Sequence, residues 1–265
     1  MTRYLDAPRP RLFAHRGASG LTPENTLEAF RAGLAAGAER LELDVHATAD
    51  GHVVVIHDET VDRTTDGTGP VRALTLATVQ RLDAGHRFQA SDGSYPFRGG
   101  GVHVPTLSEL LDACPGVPLN IEIKQADPPI EHPVLAVLDG HGARDQTLLA
   151  AEDGDIMARI RQAAPDVLTS FSAPEVAEFV LRLRDDQLAG YRPPGMALQV
   201  PPQFGDTAIV TPELVRAAHD LGLEVHVWTI NDEAEMERLL DLGVDGLMTD
   251  FPARAMAVLR RRGLR

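Results

Sequence analysis

The chain has little of what marks a secreted, membrane-bound or nucleic-acid-binding protein. Cys114 is its only cysteine, so no intrachain disulfide can form and an oxidising compartment is not indicated. The opening stretch, Met1 to Pro8, has no apolar leader core, and no run of about 18 or more apolar residues follows it. Long Lys/Arg runs are missing too: 25 basic against 39 acidic residues leave a net charge of −14 with histidine neutral. Such a surface repels phosphate polymers and anionic bilayers, so neither nucleic acid nor a stable membrane association is expected. No linker composition or short repeat divides the chain. A single domain in the cytoplasm is the expectation these absences leave.

What is present is ordinary for a globular protein, with 43% hydrophobic and 24% charged residues. The most informative stretch runs from Leu41 to Asp58. Leu41-Glu42-Leu43-Asp44-Val45, a turn at Asp50-Gly51 and Val53-Val54-Val55-Ile56 predict a strand, a turn and a return strand ending at His57-Asp58. Strand side chains alternate, so Glu42 and Asp44 project to one side and Leu41, Leu43 and Val45 to the other. Two carboxylates that close need a proton or a cation between them. A divalent metal with oxygen ligands meets that need; a half-exposed strand with an acidic solvated face is the plain alternative.

Elsewhere the chain beats regularly. Arg11 to Ala14 reads as a buried strand delivering His15-Arg16-Gly17 to a turn, and Thr22-Pro23 reads as a helix N-cap and first helical residue, with Leu27, Phe30 and Leu34 continuing to Gly37. Thr106 and Glu109 have the form of a capping box for a helix to Ala113, before a strand over Val117 to Lys124. Further strands are predicted at Thr147 to Ala151, Val167 to Phe171, Met196 to Val200, Val225 to Thr229 and Gly246 to Thr249, with helical patterns between them. Eight strands alternating with helices in 265 residues favour a closed (β/α)₈ TIM barrel, a fold that typically takes about 250 residues. One irregularity stands out. From about 59 to 104, between the second and third barrel strands, only Leu74, Leu76, Val79 and Leu82 keep helical spacing, which predicts a small insertion within the single domain. Its aromatic part, Phe88, Tyr95 and Phe97, reads equally as a lid over a cleft or as a surface loop.

Barrel chemistry gathers at the C-terminal strand ends. Those ends carry His15-Arg16, Glu42 with Asp44, His57 in the adjoining loop, and Glu122 with Lys124, while Trp228 follows on the seventh strand. Singly, each has a bland reading: a turn histidine, a surface salt bridge. His46 adjoins Asp44 and is as eligible as His57 on position alone. Convergence of ionisable groups from three strand ends shifts the balance, because burying them unpaired is costly.

At this point the sequence resembles a known family. His15-Arg16-Gly17, Pro23-Glu24-Asn25-Thr26, Glu42-x-Asp44-Val45, His57-Asp58, Arg63-Thr64-Thr65, Pro105-Thr106-Leu107 and Glu122-Ile123-Lys124 are similar, in order, to the motif series of the glycerophosphodiester phosphodiesterases. Val227-Trp228-Thr229-Ile230-Asn231, Gly243-Val244-Asp245-Gly246 and Thr249-Asp250 extend the likeness over nearly the whole chain. The resemblance implies metal-dependent hydrolysis of small glycerophosphodiesters to sn-glycerol 3-phosphate and an alcohol. It implies one divalent cation, Mg²⁺ or Ca²⁺ with Mn²⁺ as a further choice, held by Glu42, Asp44 and Glu122. His15 and His57 would be the acid and base pair, Arg16 and Lys124 the phosphate contacts, and Asn25 and Trp228 would line or support the pocket. The nucleophile it implies is the glycerol 2-hydroxyl, giving a cyclic phosphate that water opens. Ser172 departs from the polar residue relatives often carry there, which leaves substrate contacts at that point open.

Two rivals follow from the same residues. A lysophospholipase D or sphingomyelinase D type activity keeps the machinery but needs an apolar groove, for which Val200 to Phe204 and the aromatic loop are candidates. A non-catalytic barrel that binds phosphate or a partner protein needs cations but no pair of histidines. A sugar isomerase or amidohydrolase is disfavoured, because no His-x-His pair ends the first strand.

Overall fold

The computed structural model describes residues 3–6 and 8–265; Met1, Thr2 and Ala7, in the stretch read for a leader, lie outside them. In chain order the elements begin β1 (Arg11–His15), α1 (Leu27–Ala35), β2 (Arg40–Ala47), β3 (Val53–Val55), α2 (Leu76–Val79), α3 (Leu107–Ala113) and β4 (Leu119–Ile123). They continue with α4 (Glu131–Gly140), β5 (Thr147–Ala150), α5 (Gly154–Ala163), β6 (Leu168–Thr169), α6 (Ala173–Arg184), β7 (Ala197–Val200) and the short pair β8 (Gln203–Phe204) and β9 (Thr207–Ala208). The last are α7 (Pro212–Asp220), β10 (Glu224–Val227), α8 (Glu233–Asp241), β11 (Gly246–Thr249) and α9 (Pro252–Arg261).

The expected barrel is there. Strands run in the order β6-β5-β4-β2-β1-β11-β10-β7, all neighbours parallel, with β3 added antiparallel to β2. The ends of that row meet at a parallel bridge between Ser170 and Ala197. There the Met196 N–H donates to the Thr169 carbonyl (2.8 Å) and the Phe171 N–H to the Ala197 carbonyl (3.0 Å), which closes the ring. Capping residues set where the intervening helices start. Thr106 and Glu109 form the expected capping box of α3.

Residues 59–104 hold only α2 and a 3₁₀ turn at Val71–Ala73. Their apolar residues Val61, Val71, Val79, Val102 and Val104 pack with Val54 and Ile56 into a small core of their own. The helical pattern from Leu74 to Leu82 yields a single turn of α-helix rather than a longer one. Among the described residues no helix is long and apolar enough to cross a membrane.

The N-terminal floor of the barrel is an ion network, which the alternation of strand residues did not announce. Arg11 holds Glu224 through two bonds, Nε to Oε2 at 2.7 Å and Nη2 to Oε1 at 2.6 Å, and His226 meets the same carboxylate at 2.9 Å. Burial works to raise the proton affinity of Glu224, but Arg11 and His226 outweigh it and hold the carboxyl well below its ordinary 4.5. A depressed carboxyl contributes stability above that ordinary value and loses it as the pH falls towards the folded value. Glu224→Ala should therefore cost about 3–5 kcal/mol at neutral pH, because it leaves Arg11 buried without its carboxylate. Urea unfolding of both proteins tests this: the gap between them should narrow as the pH falls below about 4.5, and a gap that widens in acid would contradict it.

Candidate active site

Register builds the centre of the site. In the β1/β2 pair His15 lies opposite Glu42, and in the β2/β4 pair Asp44 lies opposite Glu122. Because alternate residues share a face, these pairings bring Glu42, Asp44 and Glu122 to one place, with ligand oxygens within 4.8 Å of one another. Glu42 and Asp44 are buried and Glu122 is half-buried.

The turn after β1 is shaped to serve this cluster. Arg16 sits at φ +53°, a left-handed conformation that non-glycine residues avoid at a cost of roughly 1–2 kcal/mol. Its N–H is held by the Glu42 carbonyl and by Glu42 Oε2, both at 3.0 Å. Gly17 follows because a Cβ there would lie 2.4 Å from the Ala29 carbonyl carbon in α1. The Arg16 guanidinium reaches Asp44 at 3.2 Å and Glu24 at 3.0 Å. Asn25, at φ +55°, donates from Nδ2 to Asp44 Oδ2 at 3.0 Å. Here the sequence reading needs correction. The helix does not start at Pro23; Thr26 is the N-cap and Leu27 the first residue, because Asn25 turns left-handed to serve Asp44.

Lys124 completes the surround, 2.6 Å from Glu122 Oε1 and 3.6 Å from Asp44 Oδ1. Burial pushes all three carboxyls towards the protonated form. Asp44 nevertheless ends below its ordinary value, because Arg16 and Lys124 outweigh burial. Glu42 has no such excess: burial and then the charge of Asp44 push it up to about 7. Glu122 is raised as well, by burial first, with Lys124 opposing. The centre is thus short of positive charge. Three converging carboxylates suit a hard divalent cation, and the buried Asn25 Oδ1 beside them has no hydrogen-bond partner among the described residues.

Two histidines flank this centre, His15 beside Glu42 and His57 beside Asp44, each oriented by a carboxylate. His15 Nδ1 is 2.7 Å from Asp250 Oδ1, and its Nε2 faces Glu42 Oε2 at 3.9 Å. Burial lowers its proton affinity, but Glu42 and the bond to Asp250 more than reverse that, leaving it raised. Asp250 is fixed in turn by Ser19 Oγ at 2.8 Å and Asn231 Nδ2 at 2.6 Å. His57 Nδ1 is 2.7 Å from Asp58 Oδ1, and His57 is close enough to Asp44 to help hold that carboxyl down. His46, the competing candidate, bonds the His57 carbonyl at 3.0 Å and so anchors its backbone. Arg63 spans Asp58 (2.7 and 2.9 Å) and Glu24 (2.7 Å twice), linking the His57 side of the site to Arg16.

All nine residues singled out from the sequence lie at this end of the barrel. Asn25 supports Asp44, and Trp228 flanks a cavity that also reaches Glu122. Ser172 caps α6, its N–H donating to Glu175 at 2.8 Å. No residue of 59–104 lines that cavity. Asp250, Asn231, Asp58, Arg63 and Glu24 all sat in quoted motifs without a role. For Asp58 and Asp250 a signal existed: an acidic residue directly after a strand-end histidine, and one directly after the last barrel strand.

Comparison with known proteins agrees with this geometry. A family model described as "Glycerophosphoryl diester phosphodiesterase family" matches residues 15–254. A glycerophosphodiester phosphodiesterase of Caldanaerobacter subterraneus subsp. tengcongensis is 32% identical over 259 residues, covering 95% of this chain and 98% of its own. The crystal structure of a glycerophosphodiester phosphodiesterase from Agrobacterium tumefaciens superposes with a TM-score of 0.76 at 28% identity, over 93% of this chain and 99% of that one. A phosphodiesterase of Oleispira antarctica, solved with the product sn-glycerol-3-phosphate, gives a TM-score of 0.77 at 25% identity over 95% and 97% of the two chains.

Proposed function

Because the chain belongs to the glycerophosphoryl diester phosphodiesterase family, we propose that it is a phosphoric diester hydrolase releasing sn-glycerol 3-phosphate and an alcohol from glycerophosphodiesters. The observation that carries the reading is the convergence of Glu42, Asp44 and Glu122 with two carboxylate-oriented histidines at one mouth of the barrel. Glu42, Asp44 and Glu122 would hold one divalent cation, Mg²⁺, Ca²⁺ or Mn²⁺. When bound, that ion supplies Lewis-acid stabilisation of charge on the phosphate oxygens.

The chain's own groups do the rest. A phosphodiester is a monoanion that gains negative charge on its non-bridging oxygens as a nucleophile approaches. Arg16 and Lys124 counter that charge, the guanidinium as a planar fork and the ammonium as a point charge. Asp250 and Asp58 each occupy Nδ1 of their histidine, which leaves Nε2 of His15 and of His57 as the proton-transfer atoms. One imidazole accepts the proton of the glycerol 2-hydroxyl and the other, protonated, donates to the departing alkoxide; the roles reverse when water opens the cyclic phosphate. Asn25 acts from behind, holding the carboxylate of Asp44. A cytoplasmic setting belongs to the same proposal and rests on the single cysteine of the sequence.

Purified protein supplied in turn with Mg²⁺, Ca²⁺ and Mn²⁺ should release glycerol 3-phosphate from glycerophosphocholine. No turnover of any glycerophosphodiester with any of the three ions would refute the reading.

A further inference from the structure

The segment 59–104 lines none of the cavity beside Glu122, yet one of its side chains reaches into the hydrogen bonding of the site. Arg63 Nε and Nη2 donate to the two oxygens of Asp58 at 2.7 and 2.9 Å, while Nη1 and Nη2 donate to the two oxygens of Glu24 at 2.7 Å each. A guanidinium has five N–H donors, so these four bonds leave Arg63 a single hydrogen. That is too few for a bidentate grip on a phosphate. Both carboxylates already hold a group of the reaction. Asp58 Oδ1 meets His57 Nδ1 at 2.7 Å, and Glu24 Oε1 accepts from Arg16 Nη1 at 3.0 Å. Burial alone would push Glu24 towards the protonated form; the bond from Arg63, together with the charge of Arg16, brings it below its ordinary 4.5. Behind Arg63 the backbone is braced. The buried Thr65 gives its hydroxyl to the Val61 carbonyl at 2.7 Å and accepts from the Gly67 N–H at 3.0 Å. The Val61 N–H donates to the Gly69 carbonyl (3.1 Å) and the Val71 N–H to that of Glu59 (2.8 Å), and both valines belong to the small core of the segment.

We infer that Arg63 is a positioning residue for the reaction, and that holding it in place is what the 59–104 segment contributes to the enzyme. One guanidinium ties Asp58 to Glu24, and through them sets the His57 imidazole and the Arg16 guanidinium at a fixed spacing. The inference rests on the phosphodiesterase reading of the site and adds to it a residue that touches neither substrate nor metal. The need for such a tie follows from the connectivity. Arg16 sits in the turn after β1 and His57 in the loop after β3, so no shared backbone element fixes the proton-transfer group relative to the phosphate contact. A misplacement of about 1 Å between such groups costs on the order of 10²-fold in rate. Arginine suits the task because its planar fork engages two carboxylates in one rigid geometry, whereas the ammonium of lysine is a point charge on a flexible stem.

With the divalent ion that supports wild-type turnover, Arg63→Ala should lower kcat on glycerophosphocholine about 100-fold, and Arg63→Lys should recover little of the loss. The side chain is 47% exposed, so the alanine variant keeps the fold, and it leaves a gap open to solvent. Guanidinium chloride at low millimolar concentration should therefore restore much of the lost kcat, while sodium chloride at the same ionic strength should not. A bridge that only stabilises the fold gives the opposite sign, since guanidinium weakens a protein that has lost stability. A second readout needs no turnover. In the wild type the ¹⁵N spectrum of the neutral His57 imidazole, assigned against His57→Gln, should show one tautomer with its proton on Nδ1, the nitrogen that Asp58 holds; in Arg63→Ala it should show a mixture. Wild-type kcat together with the single tautomer in Arg63→Ala overturns the positioning role and leaves the phosphodiesterase reading standing. A kcat loss that guanidinium fails to restore, in a protein of lowered Tm, overturns it as well. If the wild type turns over no diester, that reading fails, and the imidazole spectrum decides alone: a mixture in Arg63→Ala supports the positioning role, and an unchanged spectrum removes it.

Discussion

Replacing His15 by alanine should lower kcat on glycerophosphocholine about a thousandfold while changing KM little, since a proton-transfer group acts in the transition state and contributes about 10²–10⁴-fold. His15 has the geometry for that part. Asp250 at 2.7 Å fixes Nδ1, and Nε2 is turned towards the carboxylate centre, 3.9 Å from Glu42. Asp250→Asn keeps the imidazole but removes the anion that fixes its tautomer at Nδ1, so the loss should approach that of His15→Ala, up to about 10⁴-fold. Both variants keep the barrel, because the strand pairing through β1 is backbone bonding. Thermal unfolding beside the kinetics separates chemistry from damage. Wild-type turnover with alanine at His15 would make it a turn residue and remove it from the proton-transfer pair.

How much of this centre could be read in advance depended on distance along the chain. Glu42 and Asp44 were legible as neighbours because a two-residue period is a local property of one strand. That Glu122 joins them was legible only as a strand-end position. Its contact with Asp44 is a matter of register between strands nearly eighty residues apart, set by ring closure rather than by either strand. The Asp250 partner of His15 lies 235 residues away, so nothing near either residue could announce it. The helix start was misread for a local reason. Thr22-Pro23 has the form of a cap, yet Asn25 is drawn to Asp44 and breaks the helix until Thr26 restarts it. The cavity beside Glu122 was half visible. Val200 to Phe204 was read as a possible groove wall, but two-residue strands such as β8 and β9 carry no alternation, so the hairpin that presents Phe204 to it left no pattern.

The carboxylate cluster makes the second large prediction. Removing the divalent ion with a chelator, or replacing Asp44 by asparagine, should lower turnover by at least about 10²–10³-fold, the loss typical when one strong electrostatic stabiliser of the transition state is taken away. Turnover alone cannot distinguish a lost ion from a lost fold, so binding must be read separately. Mn²⁺ at a hundred times its Kd should raise the stability of the wild type by about 2.7 kcal/mol, and that of the Asp44→Asn protein by far less. The pH dependence of that binding follows from Glu42. In the metal-free protein, burial and then the charge of Asp44 hold its carboxyl at about 7. Below that pH the carboxyl carries a proton that a cation must displace, whereas above it the ligand is already ionised. Metal affinity measured by calorimetry should accordingly fall about tenfold per pH unit, for each proton displaced, as the pH drops below about 7, and level off above it. Asp44, kept ionised by Arg16 and Lys124 against burial, adds nothing to that slope. An affinity that stays constant from weakly acid to weakly alkaline pH would mean that binding displaces no proton from Glu42, as it would if Glu42 were not a ligand. The ion would then have to be held by Asp44 and Glu122 alone, a pair too few to explain why two neighbouring strands gather three carboxylates at this mouth.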